Sequence, residues 1–224
     1  MDTLLLLLAD GRYPAGGHAH SGGLEAAVAA GRITGEADVH GYLLGRLHTQ
    51  GLVAAAFAAA THAAAQSGDR ELLTLLDDEL DVRTPSPALR LTSRRQGRAQ
   101  LRAARGIFPA PCLALAPVHR DGPHHPLALG LTTAAAGLAS DQAALLAAYA
   151  VLTGPASAAV KLLGLDPYRV QTILAALAPR CDAVARDASA AASKPPAELP
   201  SAGAPLADIT AEIHATWEVR LFAS

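Results

Sequence analysis

Charged, aromatic and cysteine residues are all scarce in this chain. Charged residues make up 17% of the 224 residues and aromatic residues 4%. The two cysteines, Cys112 and Cys181, stand far apart and outside any C-x-x-C pair, which argues against a zinc knuckle and a disulfide framework. The net charge of −2 leaves no overall basic excess to attract nucleic acid or an anionic membrane. We therefore predict no nucleic-acid partner and no membrane partner.

Motifs for catalysis are also missing. The sequence has neither a G-x-x-x-x-G-K-[ST] phosphate loop nor an H-E-x-x-H metal motif. Ser21 lies in A-H-S-G-G, which lacks the first glycine of a nucleophile elbow. The acids cluster only in Asp77-Asp78-Glu79 and Asp81, where we expect a solvated helix end. The sequence predicts a protein that is not an enzyme.

Apolar residues are abundant, at 51% of the chain. So few polar residues remain that we expect an apolar face that meets a partner or a second copy. The apolar run Leu4–Leu8 is too short to span a membrane and no basic region precedes it. The predicted location is the cytoplasm.

Ala and Leu dominate, and alternating β-branched runs are absent, so the sequence predicts an all-α, single-domain helical bundle. Capping and turn residues place its helices, with Ser21 and Ser86 as N-caps and Ser67-Gly68-Asp69 as the start of a new helix. The predicted helices cover residues 3–9, 21–30, 34–66 with a possible break near Gly51, 69–81, 87–107, 126–138, 140–163 with a kink or break at Gly154-Pro155, and 167–192.

The C-terminal region is predicted to be a separate segment. Four prolines in Lys194–Pro205 predict an extended linker, and Asp208 is the expected cap of a final amphipathic helix. Its apolar stripe would be Ile209, Ile213, Trp217 and Leu221. The predicted organisation is a body over 1–193, a linker over 194–205 and a partner-binding tail helix over 206–224. We expect the linker to detach the tail, which would then firm on binding.

The run Leu8–Glu25 concentrates glycine and histidine. Gly16-Gly17 permits a tight reversal, and Gly22-Gly23 removes side chains where another backbone comes close. Two interpretations stay open, a turn that packs two helices and a docking surface for a partner protein. Imidazole suits nickel, so His18 and His20 are candidate ligands, and His124-His125 is a second such pair. Two ligands are fewer than coordination usually needs, so we predict no directly bound metal.

Arginines recur along the helix predicted over 87–107. Arg90, Arg94, Arg98, Arg102 and Arg105 share one face, with Arg95 beside it. The open interpretations are a solvated face paired with nearby acids, a face for an acidic partner, and a nucleic-acid groove. No aromatic residues interleave with the arginines, which argues against the groove.

The C-terminus carries the only tryptophan of the chain, Trp217. Trp and Arg are frequent interface anchors, which favours a partner-binding tail. The alternative is a tail helix docked into its own core.

Segments of the chain resemble, in order, the UreF family of urease accessory proteins. The first is L-A-D-G-R-Y-P-A-G-G-H-A-H-S-G-G-L-E-A-A-V, the second R-T-P-S-P-A-L-R-L-T-S-R-R-Q-G-R-A-Q-L-R and the third H-A-T-W-E-V-R-L-F-A-S. The segment A-A-V-K-L-L at 158–163 is also similar to the family's basic penultimate turn.

The resemblance implies an all-α homodimer that is not itself an enzyme. It implies a complex with UreD (also called UreH), the GTPase UreG and apo-urease, in which the complex handles nickel and GTP and this chain modulates the GTPase. The alternative is a nickel-binding metallochaperone that uses His18 and His20. Carried over by position, the partner-binding residues are Tyr13, Pro14, Gly16, Ser21, Gly23, Leu24, Glu25, Arg90, Gln96, Arg98, Lys161, Arg220, Leu221 and Phe222. Trp217 completes the predicted set, and Gly97 also matches the second segment.

Overall fold

Helices joined by short turns build the protein. The computed structural model describes residues 3–222, apart from the side chain of His18, and these residues contain no strand. This confirms the all-α prediction. The helices are α1 (Thr3–Ala9), α2 (Leu24–Ala29), α3 (Glu36–Arg46), α4 (Leu52–Ser67), α5 (Arg70–Val82), α6 (Pro87–Ile107), α7 (His125–Ala135), α8 (Ser140–Leu163), α9 (Pro167–Ala191) and α10 (Pro205–Ala215).

Helices α4 and α8 form the centre of the bundle. Helix α4 packs against α7, α8 and α9, and α8 also packs against α3 and α9. Their many alanines allow close approach, while leucines such as Leu43 and Leu152 fill the core around them. Within the described range, α8 is the one helix long and apolar enough to cross a membrane, and more than half of its most apolar stretch is buried inside the protein. A core helix of a bundle has these properties.

The helix start predicted at Ser67-Gly68-Asp69 and the cap predicted at Ser86 are confirmed. The Asp69 carboxylate accepts a hydrogen bond from the backbone N–H of Leu72 at 2.9 Å, and the Ser86 hydroxyl accepts one from Leu89 at 3.1 Å. The break predicted near Gly51 is a single turn of π-helix over Leu47–Gly51.

Two predicted boundaries in the body are wrong. Helix α2 begins at Leu24 rather than at Ser21, because Gly22 and Gly23 adopt positive φ angles that no helix contains. Helix α8 runs through Gly154-Pro155 without the predicted break, and a Cβ atom on Gly154 would lie 3.1 Å from the carbonyl oxygen of His20.

The C-terminal prediction is also corrected. Helix α10 ends at Ala215, so Trp217 and Leu221 do not extend its apolar stripe. The linker does not detach the tail. Arg83 donates hydrogen bonds to the carbonyls of Pro196, Ala197, Leu199 and Pro200 at 3.0–3.2 Å, and the side chain of Leu199 is buried in an apolar cluster. One guanidinium thus holds four linker residues against the body.

Candidate partner-docking site

A buried carboxylate joins the N-terminal motif to the C-terminal tail. Glu25 lies in the first turn of α2 and is 6% exposed. It accepts hydrogen bonds from the backbone N–H groups of Leu221 at 2.8 Å and Phe222 at 3.0 Å. Nε2 of His214, itself fully buried, lies 3.1 Å from the same carboxylate. We call these four residues the tail joint.

Further polar contacts hold helix α10. Glu212 accepts hydrogen bonds from the Ser86 hydroxyl and from the backbone N–H of Ala88 at 2.9 Å. A carboxylate is favourable at this point, because the first turn of α6 presents unpaired N–H groups and the positive end of the helix dipole. Arg32 also donates to the hydroxyl of Thr210 at 3.1 Å. The tail is therefore docked mainly through charged and polar groups.

Lys161 takes part in the same arrangement. Its Nζ lies 5.7 Å from the centroid of the Phe222 ring, a cation–π distance. The ring of Trp217 lies 4.7 Å from that of His214. The fold thus brings Glu25, Lys161 and the tail together, although they are far apart in sequence.

The outer side of the tail is apolar and exposed. The side chains of Leu206, Ile209 and Ile213 are more than half exposed, and Leu221 is 74% exposed. Arg220 is exposed beside them. A set of large apolar side chains held outward on an ordered segment is typical of a protein-binding surface.

Most of the other predicted residues of the first segment do not face solvent. Tyr13, Ser21 and Leu24 are buried, and Pro14 is exposed. Gly16 and Gly23 have φ angles of 78° and 89°. Tyr42 and Arg46 both donate to the carbonyl of Gly22, and this fixes the turn before Glu25. The structure supports the helix-packing interpretation for Gly22 and Gly23, where a Cβ atom would lie 2.8–3.1 Å from side chains of α3 or α8, whereas a Cβ atom on Gly16 would meet nothing within 4 Å.

The second segment, residues 83–102, contacts helix α10 at Ser86 and Ala88 rather than at the tail joint itself. Arg90 donates to the carbonyls of Thr84 at 2.7 Å and Pro85 at 3.0 Å. Gln96 is half-buried, and Arg98 is exposed. Gly97 has a packing role, because a Cβ atom there would lie 2.0 Å from the carbonyl oxygen of Pro123.

The expected solvated helix end is wrong for Asp77. Asp77 and Arg94 are both buried, and Arg94 donates to Asp77 at 2.7 Å and to Asp81 at 2.8 Å. His124 lies 2.8 Å from Asp81 and 3.0 Å from the Ser93 hydroxyl. Burial and the nearby Arg94 lower the pKa of His124. This network cross-links α5, α6 and the start of α7, so Arg94 is not a docking residue.

A cavity of about 710 Å³ lies beside the opening turn. His20 and His125 line it, and burial, followed by the charge of His20, lowers the pKa of His125 to about 4. The side chain of His18 lies outside the described residues. Among those described, no three His, Cys, Asp or Glu side chains are grouped so as to hold a metal ion.

Sequence reasoning missed Glu212 and Arg83. The unpaired N–H groups at the start of α6 need an acceptor, but the sequence does not indicate that it comes from residue 212. The carbonyl groups of the linker likewise need a donor, but the sequence does not identify Arg83 as that donor.

The described residues define an all-α protein of one domain in which an N-terminal turn and a C-terminal tail pack together. The chain belongs to the UreF family of urease accessory proteins, because the UreF family model matches residues 33–178. This confirms the resemblance found in the sequence.

Relatives named urease accessory protein UreF match almost the whole chain. The one from Mycobacterium sp. (strain JLS) is 46% identical over 99% of this chain and 98% of its own length. The one from Mycolicibacterium vanbaalenii is 41% identical, over 98% and 97%. The one from Mycobacterium tuberculosis (strain H37Ra) is 39% identical, over 95% and 93%. A match over 99% of the chain includes the opening turn and the tail, which lie outside residues 33–178.

Proposed function

We propose that this chain is the scaffold of a cytoplasmic urease-maturation complex. It acts as a homodimer, binds UreD (UreH) and the GTPase UreG, modulates the GTPase, and so enables nickel incorporation into apo-urease. Nickel and GTP are handled by the complex, and the chain itself catalyses no reaction. Membership of the UreF family supports this assignment.

The observation that carries the proposal is the two-sided tail. Its polar side is fixed to the body by Glu25 and Ser86, while Ile209, Ile213 and Leu221 stay exposed. UreD binds this outer surface, with Trp217 and Arg220 at its edge. Because the tail is already docked, binding needs little further ordering of the chain, which favours affinity.

A charge placed on the outer surface tests the proposal. In the Ile209→Asp/Ile213→Asp variant, the polar contacts of the tail are retained and the apolar surface is lost. UreD pull-down should therefore fail. Leu75→Asp/Val82→Asp on α5 is the matched control, because these side chains are also exposed, and it should bind as the wild type does. Wild-type binding by the tail variant would refute the proposal.

The scaffold role is tested by co-expression. Urease structural proteins are produced with the other accessory proteins, with and without this chain, and urease activity and bound nickel are measured. We expect both to fall to background without it. Unchanged activation would refute the scaffold role, whichever surface UreD uses.

A further inference from the structure

Positive charge is concentrated in one part of this weakly acidic chain. Residues 82–120 contain eight arginines and no aspartate or glutamate. The whole chain nevertheless has a net charge of −2. Carboxylates of α5 neutralise only the beginning of this stretch. Glu79 pairs with Arg83, Asp81 pairs with Arg90, and both Asp77 and Asp81 pair with Arg94.

The remaining arginines of α6 form one exposed face. At 3.6 residues per turn, Arg95, Arg98, Arg102 and Arg105 fall within an arc of about 80° and a length of about 15 Å. All four are exposed. Within residues 3–222, none of them pairs with a carboxylate, and Arg105 alone makes a hydrogen bond, to the carbonyl of Leu113. We call these four residues the arginine face.

The nearest loop does not supply the missing negative charge. Gly122 packs against Arg98, but the neighbouring carboxylate of Asp121 pairs with Arg120 at 3.1 Å. Like charges three or four residues apart weaken a helix by a few tenths of a kcal/mol per pair. An external set of carboxylates would remove this repulsion.

The surroundings of the arginine face indicate a protein partner. Leu91 and Ile107 flank it on α6, both more than a third exposed, and Arg with apolar neighbours is typical of protein interfaces. Guanidinium groups bind carboxylates through two parallel hydrogen bonds. No aromatic residue stands among the arginines for base stacking.

We propose that the arginine face docks an acidic helical segment of a protein partner, with glutamates or aspartates at matching three- and four-residue spacing. This surface is separate from the tail. It gives the chain a second, salt-sensitive docking site, and it does not depend on the UreD assignment above.

A designed peptide tests the arginine face on the full-length chain. The probe is a fluorescent helical peptide with glutamates spaced by four, four and three residues, and its control carries glutamines instead. Anisotropy should report binding of the glutamate peptide only, weakening about tenfold between 50 and 300 mM NaCl. Equal binding of both peptides, or binding of neither, would overturn the proposal.

Matched variants separate the arginine face from net charge. Arg95→Gln/Arg98→Gln/Arg102→Gln should lower the affinity for the glutamate peptide about tenfold. Arg169→Gln/Arg180→Gln/Arg186→Gln on α9 removes the same charge from other exposed arginines and should change it less than about twofold. Equal losses in the two variants would overturn the proposal. The corresponding Arg→Lys variant of the first set keeps the charge and should bind with intermediate affinity, so the test does not rest on a single variant.

Other occupants give different results. Tighter binding of a short RNA duplex than of the glutamate peptide would assign the face to nucleic acid and overturn the proposal. A smaller mass by light scattering for the Arg→Gln variant, with its helix content intact, would assign the face to a second copy and also overturn it. The Leu221→Asp variant changes the tail surface and should bind the glutamate peptide as the wild type does. If the assignment of the tail to UreD is wrong, the peptide result therefore stays the same.

Discussion

Glu25 is the residue on which the docked end of the tail depends. Its carboxylate accepts two backbone N–H groups and lies beside His214. Glu25→Gln replaces one acceptor oxygen with a donor and should weaken the tail joint by about 1–3 kcal/mol. Hydrogen exchange of the Leu221 and Phe222 amides should accelerate at least about tenfold. Glu36→Gln, whose carboxylate pairs with an exposed arginine on the surface, should leave their exchange unchanged.

Gly97 shows how a motif residue can be structural. Gly97→Ala places a Cβ atom 2.0 Å from the Pro123 carbonyl, and the backbone there cannot yield cheaply. We expect a loss of about 3 kcal/mol or more in unfolding free energy, measured by urea denaturation. Gly106→Ala in the same helix meets nothing within 4 Å and should stabilise by roughly 0.5–1 kcal/mol. Equal effects at the two positions would contradict the packing role.

His125 makes stability depend on pH. Its pKa is lowered by burial from 6.5 to about 4, so the unfolded chain takes up a proton first as the pH falls. The unfolding free energy is therefore complete above about pH 6.5 and declines toward pH 4, by on the order of 2 kcal/mol.

The His125→Gln variant checks this dependence. It should reduce the decline without abolishing it, because burial also lowers the pKa of His62 and His124. The matched control is His48→Gln at an exposed position, which should reproduce the wild-type curve. A wild-type slope in His125→Gln would contradict the assignment.

In the helices and the linker, local sequence signals predicted the structure only where that structure depends on nearby residues. Asp69 and Ser86 bond to N–H groups three residues away, so the helix start at Asp69 and the cap at Ser86 could be predicted. The linker could not be, because its conformation depends on Arg83, more than 110 residues earlier. Composition indicated an extended segment but gave no indication of the side chain that holds it.

The candidate site also has parts that the sequence predicted and parts that it did not. The sequence singled out the segments that contain Glu25 and Phe222. It did not predict their contact, since a glutamate two residues after a glycine pair does not specify that its donors lie 196 residues later. The arginine pattern predicted a shared face. Arg94 departs from it because Asp77 lies buried opposite, and only the packing of α5 on α6 reveals this.

The linker offers a direct test of its attachment. Arg83→Ala removes donors to four consecutive or near-consecutive carbonyls and should free the segment for proteolysis. Elastase cleavage after Ala197 or Ala202 should accelerate several-fold, as followed by mass spectrometry. Arg180→Ala at an exposed position on α9 serves as the control. Unchanged cleavage in Arg83→Ala would show that the buried side chain of Leu199 is enough to hold the linker.

At the scale of the whole molecule, body, linker and tail should unfold together. The predicted division into 1–193, 194–205 and 206–224 becomes testable by truncation. We expect one thermal transition for the full chain and successively lower midpoints for 1–215 and 1–193, by about 2–4 °C for each kcal/mol lost. Two transitions in the full chain, the first absent from 1–193, would instead indicate a tail that folds alone.

The tail joint also has a consequence for biosynthesis. The ribosome makes Glu25 before its donors at 221–222, and the N-terminal part of a chain begins to fold while synthesis continues. Until residues 221 and 222 have been made, the Glu25 carboxylate lacks the two N–H donors that they supply. A copy that stops before residue 221 therefore cannot close the tail joint.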